Sequence, residues 1–365
     1  MVQNRPSIIL PHDLRMVAWE ITRSCNLDCI HCRAAAKYGP YEGEPATEQC
    51  LALLDDIASL GTPVVILTGG EPYLREDIFY VAAEGDRRGL RMVLATNGTM
   101  VTDEIARKTR EAGIRRVSIS IDGADGTSHD TFRGVHGAYD AALRGIEAFR
   151  QAGVEFQVNT TVTERNRGEL DLIMKRAERL GAAAHHIFLL VPTGRARDMA
   201  HQAMGPDEYE ETLLWYHERE KGCSMQLKAT CAPQYYRIYH QNRNNRENDP
   251  GRGGELHTMT RGCMGGSSFC FISHRGQVQP CGFLEIDCGQ LSCQSFQEIW
   301  EDSPIFRDLR NLSRYEGKCG RCEFIRVCGG CRARAYEATG SYLAEEPLCP
   351  WEPGSGRSGS FAGER

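Results

Sequence analysis

No stretch of this 365-residue chain approaches the ~20 consecutive apolar residues of a membrane-spanning helix. The opening residues, MVQNRPSIILPHDLR, lack the long apolar core of a secretory signal. A surplus of charge of one sign is also missing: a formal net charge of −6 and a pI near 6.0 give no general attraction for nucleic acid or an anionic membrane. No long internal repeat points to a stacked-repeat fold. What the chain has in quantity is cysteine. Its 16 cysteines crowd into the first tenth and last third of the chain, which argues for metal clusters rather than scattered structural use. With no secretory signal, the expected compartment is the reducing cytoplasm, where thiols persist and ligate metal. The chain is long enough for one large domain and a smaller one, and 41% apolar residues can supply cores without disulfides.

The densest cysteine group is Cys25-Asn26-Leu27-Asp28-Cys29-Ile30-His31-Cys32, directly after the apolar stretch Met16 to Ile21. Three thiolates so close together can hold three corners of a cubane iron-sulfur cluster, leaving one iron open to a small molecule. A structural zinc site and buried free cysteines are the alternatives, although zinc usually takes four ligands in pairs.

From residue 16 to about 195, strand and helix patterns alternate. The predicted strands are Met16 to Thr22, Pro63 to Thr68, Arg91 to Thr96, Arg115 to Ile121, Glu155 to Thr163 and His185 to Val191. Most are nearly continuous apolar runs, as a parallel sheet buried on both faces requires. Predicted helices near residues 47–60, 75–88, 102–112, 138–151 and 167–180 end at Gly61, Gly89, Gly113, Gly153 and Gly181, and Asn166 with Glu169 reads as a capping pair. This predicts an α/β fold, a partial (β/α)6 TIM-type barrel with a small cysteine-rich C-terminal domain. Active sites of such barrels lie at the C-terminal strand ends. Polar spots fall there in register: the cysteine run, then Thr68-Gly69-Gly70-Glu71-Pro72, Thr96-Asn97-Gly98, Ser118 to Gly123, Asn159 with Thr161, and Pro192-Thr193-Gly194-Arg195. The expected organisation is an N-terminal extension over 1–15, the barrel over 16–200, a helical and linker region over 201–254, the cysteine-rich domain over 255–352 and a disordered tail over 353–365. Residues 205–240 read as helix rich in aromatics.

On these residues the chain resembles the radical SAM enzymes. The resemblance implies that Cys25, Cys29 and Cys32 hold a [4Fe-4S] cluster whose open iron binds S-adenosylmethionine. One electron from the cluster then cleaves the sulfonium to a 5′-deoxyadenosyl radical that abstracts hydrogen, while the protein supplies geometry. It also implies that Gly69, Gly70 and Glu71 bind the methionine amino group. Ser120 and Asp122 are expected near the ribose, Asn97, Arg133 and Asn159 as further polar contacts, and Val191 to Gly194 beside the adenine. His31 fills the aromatic slot before the third cysteine. The second cysteine field resembles the SPASM extension, which holds auxiliary clusters. By its interleaved pattern one cluster takes Cys263, Cys270, Cys281 and Cys331, the other Cys319, Cys322, Cys328 and Cys349. The last interval, Cys328-x2-Cys331, is one residue shorter than usual in that family. A zinc ribbon is the alternative. Cys50, Cys223, Cys231, Cys288 and Cys293 match no motif, and Cys50 reads as a small buried side chain in a helix.

Val17 to Arg23, Cys32-Arg33-Ala34, Gly276 to Leu284 and Cys328 to Ala335 resemble the heme-biosynthesis branch. That resemblance implies heme synthesis from Fe-coproporphyrin III, with two propionates oxidatively decarboxylated to vinyl groups and an electron donor such as ferredoxin or flavodoxin. The expected enzyme is a monomer that binds neither nucleic acid nor membrane. Arg195, Arg197, Arg332 and Arg334 are candidates to grip propionates, and His185, His186, His257 and His274 are possible iron ligands. Siroheme decarboxylases, heme d1 synthesis proteins and peptide maturases share the architecture. With a first strand near residue 16, a maturase's leader-binding domain has no room before the barrel.

Overall fold

A computed structural model describes residues 8–242 and 261–355. The tail from 356, residues 243–254 of the expected helical and linker region, and His257 lie outside the described residues. Among those residues, ten strands form one sheet in the order β10-β9-β8-β1-β2-β3-β4-β5-β6-β7. The six predicted strands are β1 (Met16–Thr22), β2 (Val64–Gly69), β3 (Arg91–Thr96), β4 (Arg116–Ser120), β5 (Phe156–Val162) and β6 (Ala184–Leu189). Each pairs in parallel with the next, giving the expected partial barrel.

Two further strands lengthen it. β7 (Gln226–Thr230) adds in parallel to β6, inside the stretch expected to be helical, which instead forms helices Pro206–Arg219 and Gln234–Asn242 around it. β8 (Phe269–Ile272), from the second cysteine field, adds in parallel to β1 on the other side. It turns back antiparallel into β9 (Gln277–Gln279), which pairs with β10 (Gly289–Gln290). Gly276 sits in the tight turn before β9 at φ +76°, left-handed backbone that a side chain disfavours.

Side-chain alternation sorts the sheet faces. Val65, Leu67, Met92, Leu94, Val117, Ile119, Phe156 and Val158 enter the main core. Alternate residues of β4 to β6, including Ser118, Ser120, Asn159 and His186, are only half-buried and polar. The strands are therefore not apolar on both faces, and the inner face stays available to a polar ligand. Asn166 and Glu169 do not form a capping pair: Asn166 donates to the Asp122 and Thr161 carbonyls, tying β4 to β5, and Glu169 accepts from Ala124 N and Ser128 Oγ.

Candidate functional site

The cysteine loop leaves β1 and is laced to its surroundings through its backbone. Asp28 N and Ile30 N donate to the carbonyls of Arg133 and Phe132, which end the helix Gly126–Arg133. Arg195 braces the loop from the opposite side, with Nε on Cys29 O at 2.8 Å and Nη1 on Ala36 O at 2.9 Å, while its backbone N–H meets Cys32 O. Donors also face the sulfurs: Leu27 N lies 3.5 Å from Cys25 Sγ, Ala36 N 3.4 Å from Cys32 Sγ, and Arg133 Nη1 3.7 Å from Cys29 Sγ. Burial pushes the Cys25 thiol up to about 12, and burial likewise raises Cys29. These sulfurs become thiolates only beside a strong positive charge such as bound metal.

The turn after β2 approaches this loop closely. A Cβ on Gly69 or Gly70 would run into the backbone of Thr22 or Ser24. Glu71 is fully buried and accepts from Thr96 Oγ1 and Asn97 N, each at 2.8 Å, and from Tyr73 N at 3.3 Å. Burial outweighs these donors and lifts its carboxyl to about 7. Asn97 continues the chain of contacts to Asn26, inside the cysteine loop, at 2.8 Å. Asp122 is buried rather than presented: it accepts from Thr161 N and pairs with Arg133, so Arg133 bridges β4's end to Cys29. His31 packs on Phe132 with ring centroids 4.6 Å apart, and burial holds its pKa well below the usual value. Ser120 and Asn159 face each other in register on the half-buried inner face.

In the second field, the thiols of Cys319, Cys328 and Cys349 lie within electrostatic reach of one another, and Cys322 within reach of Cys319. Cys263, Cys281 and Cys331 form a second group. The expected fourth member of that group, Cys270, is not brought to it. It lies in the main core on β8, where its thiol neighbour is Cys288. Among the described residues no three His, Cys, Asp or Glu side chains converge on a single metal ion. Cubane ligands each bind a different iron and need no such convergence.

A family model described as the radical SAM superfamily matches residues 19–177, and one described as an iron-sulfur cluster-binding domain matches 263–323. An AdoMet-dependent heme synthase of Nitratidesulfovibrio vulgaris is 52% identical over 342 residues, covering 93% of each chain. One from Methanosarcina barkeri is 48% identical over 347 residues, covering 93% of this chain and 97% of the relative. The chain belongs to the radical SAM enzymes with an iron-sulfur C-terminal domain. An Fe-coproporphyrin III synthase of Methanosarcina barkeri is more distant, 32% identical over 92% of this chain and 87% of its own. Among solved structures, Streptococcus suis SuiB bound to its precursor peptide SuiA superposes with a TM-score of 0.73 at 15% identity, covering 94% of this chain and 77% of SuiB, a likeness of fold.

The cofactors of this radical SAM enzyme are [4Fe-4S] clusters and S-adenosylmethionine, and the residues at the mouth fit them. Three sulfurs with aimed donors, those of Cys25 and Cys29 buried and that of Cys32 half-buried, suit a cluster, and the glycine turn leaves room where a Cβ would intrude. Two buried polar atoms beside the loop, His31 Nδ1 and Thr193 Oγ1, have no hydrogen-bond partner among the described residues and are free for a ligand.

Most of the arginines considered for propionates are committed elsewhere. Arg332 binds the carbonyls of Tyr342 and Ala344, Arg334 pairs with Glu346, and Arg195 braces the cysteine loop, while Arg197 forms an exposed pair with Glu337. His185 is buried against Thr160 and Tyr216 and His274 against Glu20, which leaves His186 on the half-buried inner face. Sequence reasoning missed two neighbours there. Gln157 donates to Asn159 and contacts His186 at 3.0 Å, and Lys228 of β7 stands in register with His186. The signal for Lys228 was the alternation of Gln226 to Thr230, too short to stand out.

Proposed function

We propose that this enzyme makes heme b from Fe-coproporphyrin III by oxidative decarboxylation of two propionates to vinyl groups. The observation that carries the reading is the 48–53% identity to AdoMet-dependent heme synthases over nearly the whole chain, against 31–32% for the Fe-coproporphyrin III and pre-heme d1 synthases. In this reading Cys25, Cys29 and Cys32 hold the cluster, and Gly69, Gly70 and Glu71 receive the methionine amino group. Asn97, Ser120, Asp122, Arg133 and Asn159 shape the rest of that pocket. Together the cluster and S-adenosylmethionine supply one-electron chemistry able to remove a hydrogen from the propionate β-carbon.

The chain's own part is positional. Arg133 and Arg195 keep the loop rigid, so the reacting carbon meets the radical source at a fixed distance. The polar inner face, with Gln157, His186 and Lys228, receives propionate carboxylates. Each decarboxylation also releases one electron. Cys263, Cys281 and Cys331 would hold one auxiliary cluster and Cys319, Cys322, Cys328 and Cys349 another, and such clusters would supply one-electron acceptors for it. Gly282, next to Cys281, accepts from Arg33 at 3.4 Å, so the residue after Cys32 reaches the backbone beside Cys281. The reductant is a ferredoxin or flavodoxin and the working form a cytoplasmic monomer without nucleic acid. Among the described residues no helix is long and apolar enough to cross a membrane.

The test is anaerobic incubation with reductant, S-adenosylmethionine and Fe-coproporphyrin III, followed by mass analysis of the porphyrins. Sequential monovinyl and divinyl products are expected. Turnover of siroheme instead would overturn the assignment.

A further inference from the structure

We propose that Cys231, which belongs to no cysteine motif of this chain, is the fourth thiolate of the auxiliary cluster held by Cys263, Cys281 and Cys331. The assignment rests on the two-auxiliary-cluster reading above and replaces Cys270 in it.

Cys231 directly follows β7, so it stands at the same C-terminal mouth of the parallel sheet as the Cys25 loop. It packs with Cys281 and Cys331 in one small apolar cluster around Val191, Leu284 and Ala333. Its own turn reaches the remaining member: a Cβ on Gly262 would sit 2.6 Å from Pro233 Cα, so Cys263 and the Cys231 turn are pressed together. Cys270 lies elsewhere, in register with Val17 of β1 and deep in the main core.

The backbone at Cys231 also carries a signature of function. Its φ is +55°, a left-handed conformation that non-glycine residues seldom adopt. Ala35, just after the radical SAM cysteines, is the other non-glycine residue so placed among those described. Two buried donors hold Cys231 there: Tyr209 Oη reaches its carbonyl at 3.0 Å and Arg334 Nη2 at 2.7 Å. Arg334 also donates to Glu346 Oε1 at 2.9 Å, and Glu346 Oε2 accepts from Cys331 N at 2.7 Å. One buried network thus fixes the turn of Cys231 and the backbone of Cys331 together. A small apolar side chain filling space would have no use for a strained, doubly clamped backbone, whereas a ligand that must aim its sulfur has. On binding, the thiol loses its proton and its sulfur joins the iron left over by the other three cysteines.

The test reconstitutes the full-length wild type, Cys231→Ala, Cys231→Ser and Cys270→Ala with iron and sulfide under anaerobic conditions. Iron content and electron paramagnetic resonance spectra are then recorded. For Cys231→Ala, either about a third of the bound iron is lost or a three-iron signal appears in the oxidised protein. Cys231→Ser preserves size and is expected to shift the g values of one cluster as oxygen replaces sulfur. Cys270→Ala should keep the wild-type spectrum. If Cys231→Ala does not fold, the serine variant decides, and an unshifted spectrum overturns the assignment. Loss of a cluster in Cys270→Ala with both Cys231 variants unchanged overturns it as well. A wild type holding iron for only one auxiliary cluster would overturn the two-cluster reading itself, a failure separable from the choice of ligand.

Discussion

Glu20, fully buried on β1, receives Arg23, Arg33 and the ring of His274. It thereby joins the first strand, the cluster loop and the β8 end with one carboxylate. Burial alone would raise its pKa, but the His274 hydrogen bond and then Arg33 and Arg23 prevail and hold it at about 2 against an ordinary 4.5. A depressed carboxyl contributes stability above its unfolded pKa and loses it as pH falls toward the folded value. Of order 3 kcal/mol is therefore expected at neutral pH and fades between about 4.5 and 2. Urea unfolding of the cluster-free chain across that window should show the loss, and Glu20→Gln should lack that part of it while being weaker by ~2–3 kcal/mol at pH 7. At the cysteine loop, Cys29→Ala removes one of the three proposed ligands and the sulfur that Arg133 contacts. Formation of 5′-deoxyadenosine is expected to vanish, and retained cleavage would contradict the cluster assignment.

Among the elements, the turn after β2 is the tightest fit to the loop. Gly70→Ala drives a methyl into the Ser24 backbone, so S-adenosylmethionine affinity should fall at least about tenfold with iron content unchanged. Equilibrium dialysis against the reconstituted variant measures this. Strands β1 to β6 were legible in the sequence because their core-facing residues are long and apolar. β7 was not, since only Leu227 and Ala229 are buried and the alternation spans five residues. The pairing of Asn166 with Glu169 misled for a physical reason: an amide that can cap a helix can equally well cross-link two strand ends, and here the strand carbonyls won. Cysteine spacing picks out thiols that the fold brings near one another, Cys263, Cys281 and Cys331 in one place and Cys319, Cys322, Cys328 and Cys349 in another, but not the separate place of Cys270. Cys270 and Cys231 differ by where the sheet carries them, and β8 carries Cys270 into the core.

Over the whole molecule, the sheet itself joins the two cysteine fields. β8 enters beside β1, and Arg33 spans from Glu20 to the Gly282 carbonyl. If the auxiliary clusters accept the substrate's electron, Cys322→Ala should depress vinyl formation far more than 5′-deoxyadenosine formation. Equal loss of both would mark a structural role. The central claim is that the hydrogen removed comes from a propionate β-carbon of Fe-coproporphyrin III. Turnover of substrate deuterated at those carbons, with mass analysis of the 5′-deoxyadenosine, tests it most directly. The account predicts deuterium in 5′-deoxyadenosine alongside vinyl product; unlabelled 5′-deoxyadenosine formed together with vinyl product would contradict it.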